Sequence, residues 1–153
     1  MKKSAGLLMY RRRPGRGLEV LLAHPGGPFW RGKDEGAWTL PKGEYDGSEQ
    51  ALAAAQREFI EETGFAATAP FISLGEVVQK SGKRIAAWAF AGDCEPSVLR
   101  CNTFEIEWPP RSGRRQTYPE IDRVEWFGLD AARVKINPGQ RPLLDRLEKA
   151  TST

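Results

Sequence analysis

The stretch "REFIEE", Arg57 to Glu62, sets three carboxylates within five residues. The residues before it, "SEQALAAAQ", favour a helix, and "TGF" after it supplies a glycine stop. On a helix Glu58, Glu61 and Glu62 stand at i, i+3 and i+4 and point to one side. Like charges repel there, and carboxylates near a helix C-terminus also face the negative end of its dipole. Arg57, one turn before Glu61, neutralises only part of the cluster. A hard divalent cation accounts for the rest, because Mg²⁺ takes one or two carboxylates together with substrate phosphates. Gly43 lies in a loop directly upstream, where the lack of a side chain lets a phosphate chain or a metal approach the backbone. Carboxylates, cation and loop together suggest phosphoryl chemistry.

Elements on either side must position these groups. "AGLLMYRR" and "LEVLLAHP" are strand-like runs separated by the turn-rich "RPGRG", a hairpin. "GGPFWRGKDEG" is a loop with aromatic content, and "AWTLPKGEYDGSE" is a short strand broken at Pro41 and Gly43. Asp46, Gly47 and Ser48 then lead into a helix from about Glu49 to Thr63. "FISLGEVVQKSGKRIAAWAFAGD" is a second hairpin turning at "KSGKR". "TFEIEW" alternates like a strand, "PPRSGRRQTYP" is loop by composition, and "IDRVEWFGL" is a final strand. One short helix and a longer terminal one flank "NPG". Without repeats or linkers, residues 1–153 are expected to form a single domain, a mixed sheet flanked by helices.

Composition narrows the functional classes. Of 153 residues, 40% are hydrophobic and 28% charged, as in an ordinary globular protein. Lys+Arg 23 against Asp+Glu 20 leaves a net charge of +3, too mild to argue for bulk nucleic-acid or membrane binding. Cys94 and Cys101 lack CxxC spacing and His24 is the one histidine, which speaks against a zinc site or a disulfide framework. The apolar run in "MKKSAGLLMYRRR" is too short for a signal peptide, and no stretch reaches membrane-span length. A reduced, cytoplasmic protein is expected.

Gly43, Glu49 and Arg57-Glu58-Phe59-x-Glu61-Glu62-x-Gly64-Phe65 keep every charged and glycine position, at the same spacing, of a known pattern. The chain resembles the Nudix hydrolases, whose signature box this is. Phe59 and Phe65 stand where that family usually has Ile, Leu or Val, a departure that touches packing more than chemistry. "WTLPKG" and "PEIDRVEWF" extend the resemblance along the chain, and "AGLLMYRRR" with "WTLPKG" is similar to the diadenosine tetraphosphate hydrolase branch, with nucleoside triphosphate pyrophosphohydrolases next.

The resemblance implies an α/β/α sandwich with a mixed β-sheet between helices, and hydrolysis of a nucleoside diphosphate linked to another moiety. It implies that Glu58, Glu61 and Glu62 bind Mg²⁺ or Mn²⁺, that Arg57 orients them, that the Gly43 carbonyl lies near the metal, and that Glu49 supports the box. Glu120, six residues before Trp126, is implied as a fourth ligand or general base. Its setting in "TYPEID" predicts a side chain that turns inward only once substrate is bound. For the outer phosphates the candidates are Lys42, Arg84, Arg111, Arg114 and Arg115. Trp38, Trp30, Tyr118 and Phe71 are candidates to stack on a base, whereas Trp88 and Phe90 belong to the core. A small nucleotide is the expected partner, with no nucleic acid and no membrane. A dinucleoside polyphosphate is the leading substrate; a nucleoside triphosphate or ADP-ribose, or a non-catalytic nucleotide-sensing module, are the alternatives. Monomer and homodimer both remain open.

Overall fold

A computed structural model describes residues 2–152. Its central sheet runs β4-β5-β1-β2-β8, with β3 pairing β1 off this path. β1 (Lys3–Arg13), β2 (Gly17–Pro25), β4 (Ile72–Val78), β5 (Arg84–Ala91) and β8 (Ile121–Gly128) form the body, and β3 (Lys42–Glu44) is a short addition. β1 runs parallel to β5 and antiparallel to β2 and β3, so the sheet is mixed.

Both faces of this sheet are covered. Leu7 and Met9 of β1 and Leu21 of β2 pack on one side with Ala54, Ala55 and Phe59 of α1 (Ala51–Thr63). Leu8, Val20 and Leu22 pack on the other side with Ala132 of α2 (Leu129–Lys135) and Leu143, Leu144 and Leu147 of α3 (Arg141–Thr151). Successive strand residues point to opposite faces, so strands buried on both sides read as continuous apolar runs, as "GLLM" and "VLLA" do. The α/β/α sandwich expected from the sequence is the fold observed. No helix among the described residues is long and apolar enough to cross a membrane.

Local departures have physical reasons. α1 begins at Ala51, two residues later than the expected start, because Asp46 Oδ1 accepts the Ser48 amide at 2.8 Å and closes a turn just before it. Gly43 does not break a strand: after Pro41 the chain continues as β3, held by Leu7 N–H donating to Pro41 O and Tyr45 N–H to Lys3 O, each at 3.2 Å. Part of the segment expected to be loop, Arg115–Pro119, is instead strand β7, paired with β6 (Thr103–Glu107) in a separate two-stranded sheet. Backbone pairing to an open edge overrides a loop-like composition. The hairpin docks on the loop after β2, where Phe29 and Trp108 meet edge-to-face at 5.2 Å.

Candidate active site

The C-terminal end of α1 organises the site. Gly64 caps it in the left-handed region at φ 76°, its N–H donating to Ile60 O. The helix's last carbonyls need partners, and the chain before β6 supplies them: Arg100 N–H donates to Thr63 O at 3.0 Å and Asn102 N–H to Glu61 O at 3.2 Å. Glu120 N–H in turn donates to Asn102 O at 2.9 Å, and Gly26 N–H to Glu120 O at 2.9 Å. This relay of backbone bonds sets Glu120 beside the α1 glutamates, although 58 residues separate it from Glu62.

A cleft of about 410 Å³ results, lined by Lys42, Gly43, Glu58, Glu61, Glu62 and Glu120, with Ser4, Glu44, Lys83 and Asn102 completing its wall. Arg57 braces the cluster from outside. Its guanidinium donates to both Glu49 oxygens at 2.9 Å, to Glu58 Oε1 at 2.8 Å and to Glu61 Oε2 at 3.2 Å. Gly43 packs so closely on α1 that a Cβ there would fall 1.9 Å from Glu58 Oε2. Residue 43 must therefore be glycine for the strand and the Glu58 carboxylate to share this space.

Electrostatics record crowded charge. Burial, then the nearby Glu120 and Glu58, pushes the Glu62 carboxyl up to about 7. Burial and then Glu58 raise Glu120 as well. Lys42 is pushed down to about 8, first by burial and then by the neighbouring Lys83. As the side chains lie, no three acidic, imidazole or thiol groups among the described residues converge closely enough to hold an ion. Arg57 holds Glu58 and Glu61 in ion pairs instead. The donor set nevertheless suits a hard cation: five carboxylates line one space, Lys42 offsets their repulsion at Glu62 only in part, and residue 43 is a glycine packed against Glu58.

Several residues singled out from the sequence stand elsewhere. Trp38 is core, not surface: it is 1% exposed, donates Nε1–H to Asp34 Oδ1 at 2.9 Å, and packs edge-to-face on Phe127 at 5.0 Å. Buried against Phe127 and His24, its ring has no open face for a base. Arg84 pairs with Glu76 at 3.3 Å on the sheet surface, outside the cleft wall. Arg111 and Arg114 are exposed around the β6–β7 turn, and Arg115 pairs with Glu105. Tyr118 on β7 packs on Phe104 at 6.1 Å, with its hydroxyl on Gln116. None of Arg111, Arg114, Arg115 and Tyr118 lines the cleft: the arginines sit at or beside the hairpin turn, and Tyr118, at the hairpin's base, turns its ring onto Phe104. Phe71 packs against Phe90 at 5.8 Å, as a core-facing ring does.

Trp30 is differently placed. It borders an adjoining recess of about 250 Å³ that also touches Pro41, Lys42, Glu62 and Glu120. Glu120 already faces the cleft, without the inward turn expected of it. Ser4, Lys83 and Asn102 escaped sequence reasoning, since only strand pairing and the relay at the end of α1 bring them here.

The fold and this constellation define a class. The NUDIX domain family matches residues 2–147, and the chain belongs to that family. It is a hydrolase acting on nucleotide phosphoanhydride bonds. No curated protein matches it. Among solved structures it is similar to a C. elegans Ap4A hydrolase binary complex, at 19% identity and TM-score 0.65, covering 96% of each chain. It is also similar to the NUDIX domain of Shewanella oneidensis NrtR complexed with ADP ribose, at 15% identity and TM-score 0.66, over 98% of this chain and 88% of that one. The Nudix hydrolase RenU from M. smegmatis matches at 25% identity and TM-score 0.60, over 97% and 84%. The first two likenesses, at such identity, speak to the fold alone.

Proposed function

We propose that this chain, as a single cytoplasmic domain, hydrolyses a nucleoside diphosphate-linked substrate with Mg²⁺ or Mn²⁺, water attacking phosphorus in the cleft between β3 and α1. The observation that carries this reading is the convergence of Glu58, Glu61, Glu62 and Glu120 with Lys42 on one space of about 410 Å³. Glu58, Glu61, Glu62 and the Gly43 carbonyl would hold the cation, with Glu120 as a further ligand or the base. When bound, the cation supplies neutralisation of phosphate charge and acidification of water. Arg57 keeps the Glu58 and Glu61 carboxylates aimed, and Glu49 fixes Arg57. Glu120 or Glu62 takes the proton of the attacking water, and raised affinity for a proton suits both to that role. Lys42 offsets the negative charge of the phosphate chain. Trp30 offers a ring beside Glu62 and Glu120 on which a base could stack.

A dinucleoside polyphosphate, diadenosine tetraphosphate first, is the substrate proposed. One observation favours a second reading, a shorter bridge such as ADP-ribose or a nucleoside triphosphate. The cations of "RSGRR" lie outside the cleft, and lysines alone supply its positive charge. A screen of purified protein for released nucleotide decides between them. Hydrolysis is expected with millimolar Mg²⁺ or Mn²⁺ and lost on chelation. Full activity after exhaustive chelation would sink the proposal. A tenfold preference for ADP-ribose or a nucleoside triphosphate would overturn the substrate and leave the hydrolase.

A further inference from the structure

His24, the single histidine of the chain, is 3% exposed and faces an acceptor with each ring nitrogen. Nδ1 lies 2.9 Å from Asp122 Oδ1, and Nε2 lies 2.7 Å from the Lys33 carbonyl oxygen. A carboxylate and a carbonyl only accept, so the ring satisfies both when it carries a proton on each nitrogen. With one proton it must choose. The bond to a carboxylate is the stronger, so the neutral ring keeps Nδ1–H toward Asp122 and turns a lone pair on Lys33 O.

Backbone pairing explains why these groups meet. The ladder between β2 and β8 slips here, His24 pairing with Arg123 and Pro25 with Ile121. Asp122 is the extra residue of that bulge, which re-aims its side chain across the ladder. The same slip lets Ile121 and Val124, three residues apart, both reach the core beside α1. Around the ring, Trp38 packs edge-to-face at 5.1 Å and Arg123 lies over the Trp38 ring at 5.0 Å. Asp34, which holds Trp38 Nε1, pairs with Lys135 of α2.

The far end of this chain of bonds is Trp30. Lys33 N–H donates to Trp30 O at 3.0 Å, and Trp30 N–H donates to Gly27 O at 3.3 Å. Lys33 Nζ lies 5.4 Å from the centre of the Trp30 ring. Fixing Lys33 O therefore fixes the turn whose indole borders the recess beside Glu62 and Glu120.

We propose that Asp122 and His24 form a latch on the loop of residues 26–37, which makes His24 a positioning residue for Trp30. As pH rises and His24 gives up its second proton, Lys33 O is released and the Trp30 ring loses its fixed place. The base then binds less tightly. That consequence rests on the hydrolase reading above and on Trp30 stacking on the base, whereas the latch itself stands on geometry alone.

The test uses the untagged full chain as wild type, His24→Gln and Asp122→Asn, with thermal melts to verify folding. In His24→Gln the amide nitrogen stands where Nε2 does and donates to Lys33 O whatever the pH. In Asp122→Asn the new amide donates to Nδ1 of the neutral ring, which then keeps Nε2–H for Lys33 O. Nuclear magnetic resonance follows the one imidazole and the Trp30 indole, assigned with Trp30→Phe, between about pH 5 and pH 8. In wild type the indole is expected to shift with the midpoint of the imidazole titration, a component that both variants lose. KM for diadenosine tetraphosphate at saturating Mg²⁺ should climb about fivefold more over this range in wild type than in either variant. At each pH the three kcat values should agree within about threefold. Glu62 and Lys42 are present in all three proteins, so the difference belongs to His24. An indole that ignores the imidazole titration in wild type, or that shifts equally in Asp122→Asn, overturns the latch. A shifting indole with KM alike in all three proteins keeps the latch and removes Trp30 from base binding. The same shift in a protein that hydrolyses no nucleotide keeps the latch and removes the hydrolase proposal instead.

Discussion

At the scale of single residues, the carboxylates carry opposite demands of stability and function. Glu61→Gln and Glu62→Gln preserve shape and remove charge, so turnover should fall by at least about 10²-fold while thermal stability holds or rises. Wild-type turnover in either variant would take that residue out of the metal site. Glu120→Gln should cost about 10²–10⁴ in turnover if it serves as the base, and a loss below about threefold would return it to the surface. Glu62 also predicts a pH dependence for the metal-free protein. Its carboxyl is ordinary when unfolded and pushed up to about 7 when folded, chiefly by burial and then by Glu120 and Glu58. The folded state thus favours the protonated form. That contribution is complete below pH 4.5 and is lost as pH climbs through about 7. Melting temperatures of the chelated protein should therefore decline over this window more steeply than those of Glu62→Gln; matching slopes would contradict the assignment.

At the scale of elements, two glycines test how strands hold the site. Gly43→Ala would drive a Cβ to 1.9 Å from Glu58 Oε2, the far end of a flexible side chain. The carboxylate can swing aside, so the fold should survive while turnover drops by about 10²-fold from its misplacement. Gly26→Ala meets a rigid neighbour, since its Cβ would lie 2.0 Å from the Pro119 carbonyl oxygen. There the backbone itself must shift, and with it the bond from Gly26 N–H to Glu120 O. Melting temperature and turnover should fall together in Gly26→Ala and separately in Gly43→Ala. Thermal melts beside kinetics on the two proteins check the contrast.

For the whole molecule, charge is distributed unevenly between the cleft and the β6–β7 hairpin. Arg111, Arg114 and Arg115 bring the hairpin much positive charge, yet none of them lines the cleft. Neutralising all three together should change KM for long and short phosphate bridges by less than about twofold, since exposed charges act weakly through salt water. A rise confined to long bridges would mean that the hairpin folds over the substrate.

The acidic face of α1 was open to sequence reading because helical geometry is local: three glutamates at i, i+3 and i+4 must share a side wherever the helix packs. The same locality made the hairpins, the α1 glycine stop and the two-sided sheet legible, since turn chemistry and apolar runs need only neighbours in the chain. Side-chain direction at longer range was a tertiary matter. Trp38 belonged to a strand-like segment whose faces looked alike until His24 and Phe127 packed on its ring. "RSGRR" was a run of cations whose aim depended on where the hairpin docks. Ser4 and Lys83 are 79 residues apart and meet only because β1 and β5 pair in parallel. Glu120 reaches Glu62 because the unpaired carbonyls at the end of α1 bind the chain before β6. Local periodicity determined which residues could do the chemistry, and long-range backbone hydrogen bonding decided which of them meet.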